Sequence, residues 1–204
     1  MANKISVLIV EDHEITRSGL LMMLQQEPDM TILGAHGNSD DGLKAARDQR
    51  PDVILLDLHL PGELGPRATV KSFCEIPGTK VIVFSVENRP AYIDTVMQLG
   101  PAGYLLKSES TATVIDTIRR VVSDQKKITS KTLTSIPARL TPSEQEVLKM
   151  LAKGMKYQTI AESRHTSPET IRKQCEMLVL KLGLETREEL IAWAAKNGYD
   201  AIDV

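Results

Sequence analysis

Val53-Ile54-Leu55-Leu56-Asp57 is the stretch whose reading decides the fold. Four apolar residues run straight into a carboxylate, entered from Pro51-Asp52 and left at Pro61-Gly62. A short unbroken apolar run between turn residues predicts a strand covered on both faces. Asp57 then falls at the carboxyl end of that strand, the edge where open α/β sheets bind ligands. An isolated buried carboxylate is very costly, so the stretch also predicts partners for Asp57 on the same edge.

Runs of the same kind lie on either side. Ile5-Ser6-Val7-Leu8-Ile9-Val10 ends at Glu11-Asp12, Val81-Ile82-Val83-Phe84 ends at Ser85, and Gly103-Tyr104-Leu105-Leu106 ends at Lys107. A shorter strand candidate, 30–33, stops at Gly34. Between the runs the spacing predicts helices over 14–26, 40–49, 64–75, 90–99 and 110–122. The first carries Ile15, Leu20, Leu21, Met23 and Leu24 on its apolar side, Ser39 is the expected N-cap of the second, and Gly100 is the stop of the fourth. Strands alternating with helices predict a parallel sheet covered on both faces through right-handed crossovers. The expected fold is a flavodoxin-like α/β domain over residues 1–122, with five parallel strands in the order 2-1-3-4-5.

In that order the first and third strands are neighbours, which brings Glu11, Asp12 and Asp57 together. Three carboxylates in one pocket repel and raise one another's pKa. A hard divalent cation relieves this, and carboxylates with water and substrate oxygens suit Mg²⁺. Lys107 adds a compact positive charge and Ser85 a hydroxyl donor, both suited to the oxygens of a phosphoryl group on Asp57. The chemistry would be acyl-phosphate formation with the carboxylate as nucleophile. The plainer alternative is that polar residues merely keep strand ends wet. The coincidence of the whole set at matching strand ends argues against it.

Charge is distributed unevenly. Residues 1–125 hold 12 basic and 17 acidic side chains, residues 126–137 add three lysines, and residues 138–204 balance 10 against 10. The net charge of −2 steers the chain neither to nucleic acid nor to membrane. Cys74 and Cys175 fall in different halves, which indicates neither a disulfide framework nor a cysteine metal site. His13 is expected as a surface cap, and His36, His59 and His165 lack the spacing of a zinc site. No apolar run approaches the roughly 20 residues of a membrane span. The N-terminus lacks the layout of a signal peptide. The chain is expected to be soluble and cytoplasmic.

Residues 126–137 are rich in Lys, Thr and Ser and read as part of a linker, 123–137. The pattern then turns helical over 138–204, predicting a small all-α domain of four helices. Thr141-Pro142-Ser143-Glu144 is a strong helix start, with an N-cap, a proline at the first position and a capping-box glutamate. That helix runs to Lys153 and stops at Gly154. A second covers 157–163, a third opens at Ser167-Pro168 and reaches Leu182 before Gly183, and a fourth starts at Thr186, with Glu189 completing a capping box, and ends by Gly198.

Two resemblances attach to these residues. Val10-Glu11-Asp12-His13, Leu56-Asp57-Leu58-His59-Leu60-Pro61-Gly62, Phe84-Ser85 and Gly103-Tyr104-Leu105-Leu106-Lys107 resemble the receiver domain of two-component response regulators. The resemblance implies that a histidine kinase phosphorylates Asp57 and that Asp12 and Asp57 ligate Mg²⁺ directly. Glu11 would do so through water, with the main-chain carbonyl of His59 completing the protein ligands. It implies that Ser85 and Lys107 hold the phosphoryl group and that Ser85 and Tyr104 form a switch pair. Ser108 follows Lys107 where many receivers have a proline in a cis peptide, which leaves this peptide's geometry open.

Leu140-Thr141-Pro142-Ser143-Glu144, Gly154, Ile160-Ala161, Ser167-Pro168-Glu169-Thr170-Ile171-Arg172 and Lys181-Leu182-Gly183 resemble the LuxR-type helix-turn-helix. Together the two point to the NarL/FixJ subfamily of transcription regulators. The resemblance implies a major-groove helix over 170–182, with Thr170, Arg172, Lys173, Gln174 and Lys181 toward DNA. It also implies a homodimer on phosphorylation, contacted through Leu190, Ile191 and Ala194 on the last helix. Glu169 and Glu176 on the groove helix, and the neutral balance of the domain, oppose phosphate binding. An alternative is therefore a phospho-switch whose helical domain acts through protein partners. A small phosphatase would account for Asp57 but not for the helix-turn-helix pattern.

Overall fold

The computed structural model describes residues 4–123, 128–129 and 140–201. The chain divides into two compact units, residues 1–88 with 95–132, and residues 89–94 with 133–204. In chain order the elements of the α/β part are β1 (Ile5–Val10), α1 (Glu14–Gln25), β2 (Met30–His36), α2 (Ser39–Gln49), β3 (Val53–Leu56), α3 (Pro66–Cys74), β4 (Lys80–Ser85), α4 (Pro90–Met97), β5 (Gly103–Leu106), α5 (Thr111–Val122) and β6 (Ile128–Thr129). The sheet is parallel, in the order β2-β1-β3-β4-β5-β6.

Apolar side chains on both sides of the central strands hold this sheet inside the domain. Val7, Leu8, Ile9, Val10, Val53, Ile54 and Leu56 are all fully buried. One face packs Val7, Ile9, Val53, Leu55, Ile82, Phe84 and Leu105 against Leu20 and Leu24 of α1 and Val114, Ile118 and Val121 of α5. Register then decides what meets at the edge. Val10 pairs with Leu56 and Leu56 with Val83, while Ser85 pairs with Leu106. Glu11 and Asp57 each follow a residue of one such pair, so they emerge side by side. The Asp57 amide donates to the Val10 carbonyl and the Lys107 amide to the Ser85 carbonyl, both at 2.8 Å.

The sheet differs from the five-stranded expectation by β6, inside the stretch read as linker. Ile128 is buried against the core and pairs with Gly103, and Thr129 pairs with Tyr104. Two residues among Lys, Thr and Ser carry no periodicity to betray a strand. Strand β2 also runs past Gly34 to His36: the register against β1 shifts between Val7 and Leu8, skipping Leu33, and Gly34 pairs with Leu8. The cap of α2 is Asn38, not Ser39: its side chain accepts the Asp41 amide at 2.8 Å, while Ser39 is buried and donates to the Pro61 carbonyl. Ile15, expected on the apolar side of α1, is 90 % exposed.

The helical part comprises α6 (Pro142–Ala152), α7 (Tyr157–Ser163), α8 (Pro168–Lys181) and α9 (Arg187–Lys196), followed by a 3-10 turn, Tyr199–Ala201. Its core gathers Val147, Leu148, Leu151, Ile160, Ala161, Ile171, Cys175, Leu178, Leu190, Ala194 and Tyr199. The capping box at Thr141 forms in full: its hydroxyl accepts the Glu144 amide, and the Glu144 carboxylate accepts the Thr141 amide at 2.6 Å. At Thr186 only half forms. The Thr186 hydroxyl accepts the Glu189 amide, but the Glu189 carboxylate takes the amide of Glu185, one residue further out.

Gly42 lets α2 approach β1. A Cβ there would lie 2.7 Å and 2.8 Å from the two methyls of Val10. Alanine would gain about 1 kcal/mol of helix propensity, but overpacking a filled core costs about 1–3 kcal/mol. Gly42→Ala should therefore lower the urea midpoint of unfolding. A raised midpoint would show that α2 can retreat freely.

Candidate functional site

The carboxyl edge of the sheet gathers a compact polar cluster. Glu11 and Asp57 are almost fully buried, Lys107 nearly so, and Asp12 is partly exposed. Lys107 Nζ lies 2.8 Å from Glu11 Oε1 and 3.0 Å from Asp57 Oδ2. The other oxygen of Asp57, Oδ1, accepts the Leu58 amide at 2.7 Å. Ligand atoms of Glu11, Asp12, His13 and Asp57 all lie within 4.8 Å of one another. Glu11 Oε2 is buried and has no hydrogen-bond partner among the described residues. An unmatched buried carboxylate oxygen among three acids fits a divalent cation with oxygen ligands.

The environment sets these charges in opposite ways. Burial pushes the Glu11 carboxyl above its ordinary pKa, against the opposing hydrogen bond from Lys107. Burial would lower Lys107, but its hydrogen bond to Glu11 and the charge of Asp57 outweigh it and hold the ammonium protonated. Burial would likewise raise Asp12, yet hydrogen bonds involving His13 and Asp57 leave it below the usual range.

The residues of the expected switch pair meet at the main chain of one residue, Glu87. Ser85 and Tyr104 are fully buried. The Ser85 hydroxyl accepts the Glu87 amide at 3.2 Å, and the Tyr104 hydroxyl donates to the Glu87 carbonyl at 2.8 Å. Glu87 was not foreseen, because its part is played by the main chain. Nor was His13 foreseen as a member of the cluster. It holds the N-cap position of α1, but its side chain caps nothing; Nδ1 turns to Asp12 Oδ1 at 2.8 Å. His59 lies exposed in the loop after Asp57. The Lys107–Ser108 peptide is trans, as are the other described peptides.

On α8 the buried seam is Ile171, Cys175 and Leu178, which leaves the residues expected toward DNA on the other side. Arg172 is closed in by its own helix: it bonds Glu169 at 2.6 Å and 3.1 Å and Glu176 at 2.9 Å. Lys181 bonds the Glu144 carboxylate on α6 at 2.8 Å. Thr170 and Lys173 are exposed, and Thr170 Oγ1 lies 2.9 Å from the Ser167 hydroxyl. Gln174 is half-buried with Oε1 sealed from solvent and unpartnered among the described residues, so that oxygen is not presented to a groove. Met177 and Leu180 are exposed. Arg164 ties α7 to α6 through Glu146 and the Ser143 hydroxyl. Leu190 and Ala194 are fully buried in their own domain. Of the three residues expected at a dimer contact, these two pack the domain's own core and Ile191 keeps part of its surface.

Residues 7–119 match the response regulator receiver domain, and residues 138–194 match the bacterial regulatory proteins of the luxR family. The chain belongs to the NarL/FixJ response regulators. It is 31 % identical over 207 residues to the response regulator UvrY of Escherichia coli K12, covering 95 % of each chain. It is 27 % identical over 203 residues to the nitrate/nitrite response regulator NarL of the same organism, covering 92 % of this chain and 94 % of the other. Among solved structures it resembles RcsB from Salmonella enterica serovar Typhimurium, bound to a promoter in the presence of the phosphomimetic BeF3⁻. That likeness has a TM-score of 0.66 and 26 % identity, over 95 % of this chain and 99 % of that one. No described helix of this regulator is long and apolar enough to cross a membrane.

The Glu144–Lys181 pair joins the ends of α6 and α8 in the regulator's helical domain. Burial would raise the Glu144 carboxyl, but Lys181 and the Thr141 cap hold it below its ordinary 4.5. A lowered folded pKa stabilises the domain above about pH 4.5 and loses that contribution as pH falls through the folded value. The pair keeps a quarter to a third of its surface in water, so the contribution is discounted to about 0.5–1 kcal/mol. Glu144→Gln should cost that much at pH 7 and less at pH 3. Urea melts at the two pH values measure it, and an equal loss at both would assign the effect to packing.

Proposed function

We propose that this response regulator takes a phosphoryl group on Asp57 from a histidine kinase and acts as a DNA-binding transcription regulator. One observation carries the reading: Lys107 bridges Asp57 and Glu11 at a buried sheet edge that also holds Asp12. Asp57 supplies the carboxylate oxygen that attacks phosphorus. The P–N bond of the kinase phosphohistidine breaks, its electron pair returns to the imidazole, and the product is an acyl phosphate on Asp57.

Glu11, Asp12, Asp57 and the main-chain carbonyl of His59 are the residues that would hold Mg²⁺. Bound there, the ion offsets charge on the transferring group. Lys107 and Ser85 meet the oxygens of the phosphoryl group. Drawing Ser85 toward them pulls on the Glu87 peptide and so on Tyr104. The equilibrium between the two receiver states then moves only as far as the phosphoryl group's differential interaction allows.

In this reading residues 1–122 with β6 receive the signal, the rest of 123–137 joins the parts, and 138–204 deliver the output. The cytoplasm is the compartment and a homodimer the phosphorylated form. The helix α8 faces the DNA major groove, with Thr170, Arg172, Lys173 and Lys181 as its contacts; the structure of RcsB solved on a promoter supports this. A second reading has its own observation. Arg172 sits between two glutamates, and the same helix leaves Met177 and Leu180 exposed, a combination suited to a protein partner.

Two measurements test this. Asp57→Asn should abolish uptake of labelled phosphoryl from a small acyl phosphate; persistence of an alkali-labile label would place the acceptor elsewhere. In gel shifts of the full chain on genomic fragments, binding should strengthen on phosphorylation and weaken steeply with salt. Absence of salt-dependent binding in either form would favour the protein-contact reading.

A further inference from the structure

The loop bearing Glu11 and Asp12 is held by a residue outside the cluster. Arg17, one turn into α1, directs Nη1 at two successive main-chain carbonyls: Glu11 O at 2.8 Å and Asp12 O at 3.0 Å. From the other side the Glu11 amide donates to the His36 carbonyl of β2 at 2.9 Å. Pinning two successive carbonyls on one nitrogen fixes both peptide planes. With them it fixes the directions in which the Glu11 and Asp12 side chains leave the backbone. The surroundings are shaped for the guanidinium: a Cβ on Gly37 would lie 3.2 Å from Nη1.

We infer that Arg17 is a positioning residue for the divalent-cation site, acting through the main chain of the acidic pair. This rests on reading the acidic cluster as that site. Groups that orient metal ligands without touching the ion typically affect affinity by about 10–100-fold. The physics supplies a sign test. A guanidinium next to a cation site repels the cation, so removing it should tighten binding if charge alone mattered. Positioning predicts the reverse. Lysine keeps the charge and a single donor nitrogen, but its flexible stem holds that nitrogen less firmly than the planar guanidinium holds Nη1.

The experiment is Mg²⁺ titration of the full chain by calorimetry, comparing wild type, Arg17→Gln, Arg17→Lys and Asp12→Asn, with melts in chelator as the control for folding. Arg17→Gln should weaken Mg²⁺ binding about ten-fold with an unchanged melting temperature, and Arg17→Lys should recover part of the loss. Unchanged or tighter binding in Arg17→Gln would overturn the inference. Should Arg17→Gln fail to fold, Gly37→Ala, which displaces the guanidinium and keeps its charge, is read by the same rule. If wild type binds no Mg²⁺, or Asp12→Asn binds as wild type does, the cation-site reading itself fails, which is a separate result.

Discussion

The receiver depends on one ammonium shared between two buried carboxylates. Lys107 faces Glu11 and Asp57 together, at 2.8 Å and 3.0 Å. Removing one partner from a buried ion pair costs about 3–5 kcal/mol, because the other charge is stranded. Here two acids share one cation and Asp12 adds a third, so the cluster stays short of positive charge. That shortage is visible as the orphaned Oε2 of Glu11, on a carboxyl that burial already holds above its ordinary pKa. A site held in this state gains by admitting a divalent cation or a group that changes the charge on Asp57. The apolar strands make the shortage possible by holding the acids away from water.

Much of this was legible because strand ends are legible. Each apolar run stops at a polar residue, and a parallel sheet aligns those ends. Once β1, β3, β4 and β5 are recognised, Glu11, Asp57, Ser85 and Lys107 must share an edge. What escaped is built from main chain or from sparse contacts. Glu87 links Ser85 and Tyr104 through its peptide, and any residue type could do so. Arg17 works through carbonyls and lies in the helical register, where it passes for a solvent-facing residue. His13 was assigned by its position in the chain, whereas its ring follows the nearest negative charge.

In the helical domain the pattern located the elements but not the loyalties of the side chains. Leu190 and Ala194 sit on an apolar stripe, and spacing alone cannot say whether such a stripe meets a second copy or the domain's own core. Their complete burial answers for the core. Similarly Arg172 counts as a base in the composition, yet Glu169 and Glu176 already take its donors. Any acceptor on DNA must displace two carboxylates that are covalently nearby.

The two-residue strand β6 has a consequence for the molecule in a crowded solution. An uncovered strand at a sheet's end offers a row of unused amides and carbonyls to any passing chain. Ile128 and Thr129 lie against Gly103 and Tyr104 of β5 and take up that row where it would otherwise be open. Among the described residues β6 is two residues long, a brief template for another molecule to extend. A scrap of chain that looks like filler thus works as a selvedge, finishing the sheet so that it does not unravel into its neighbours.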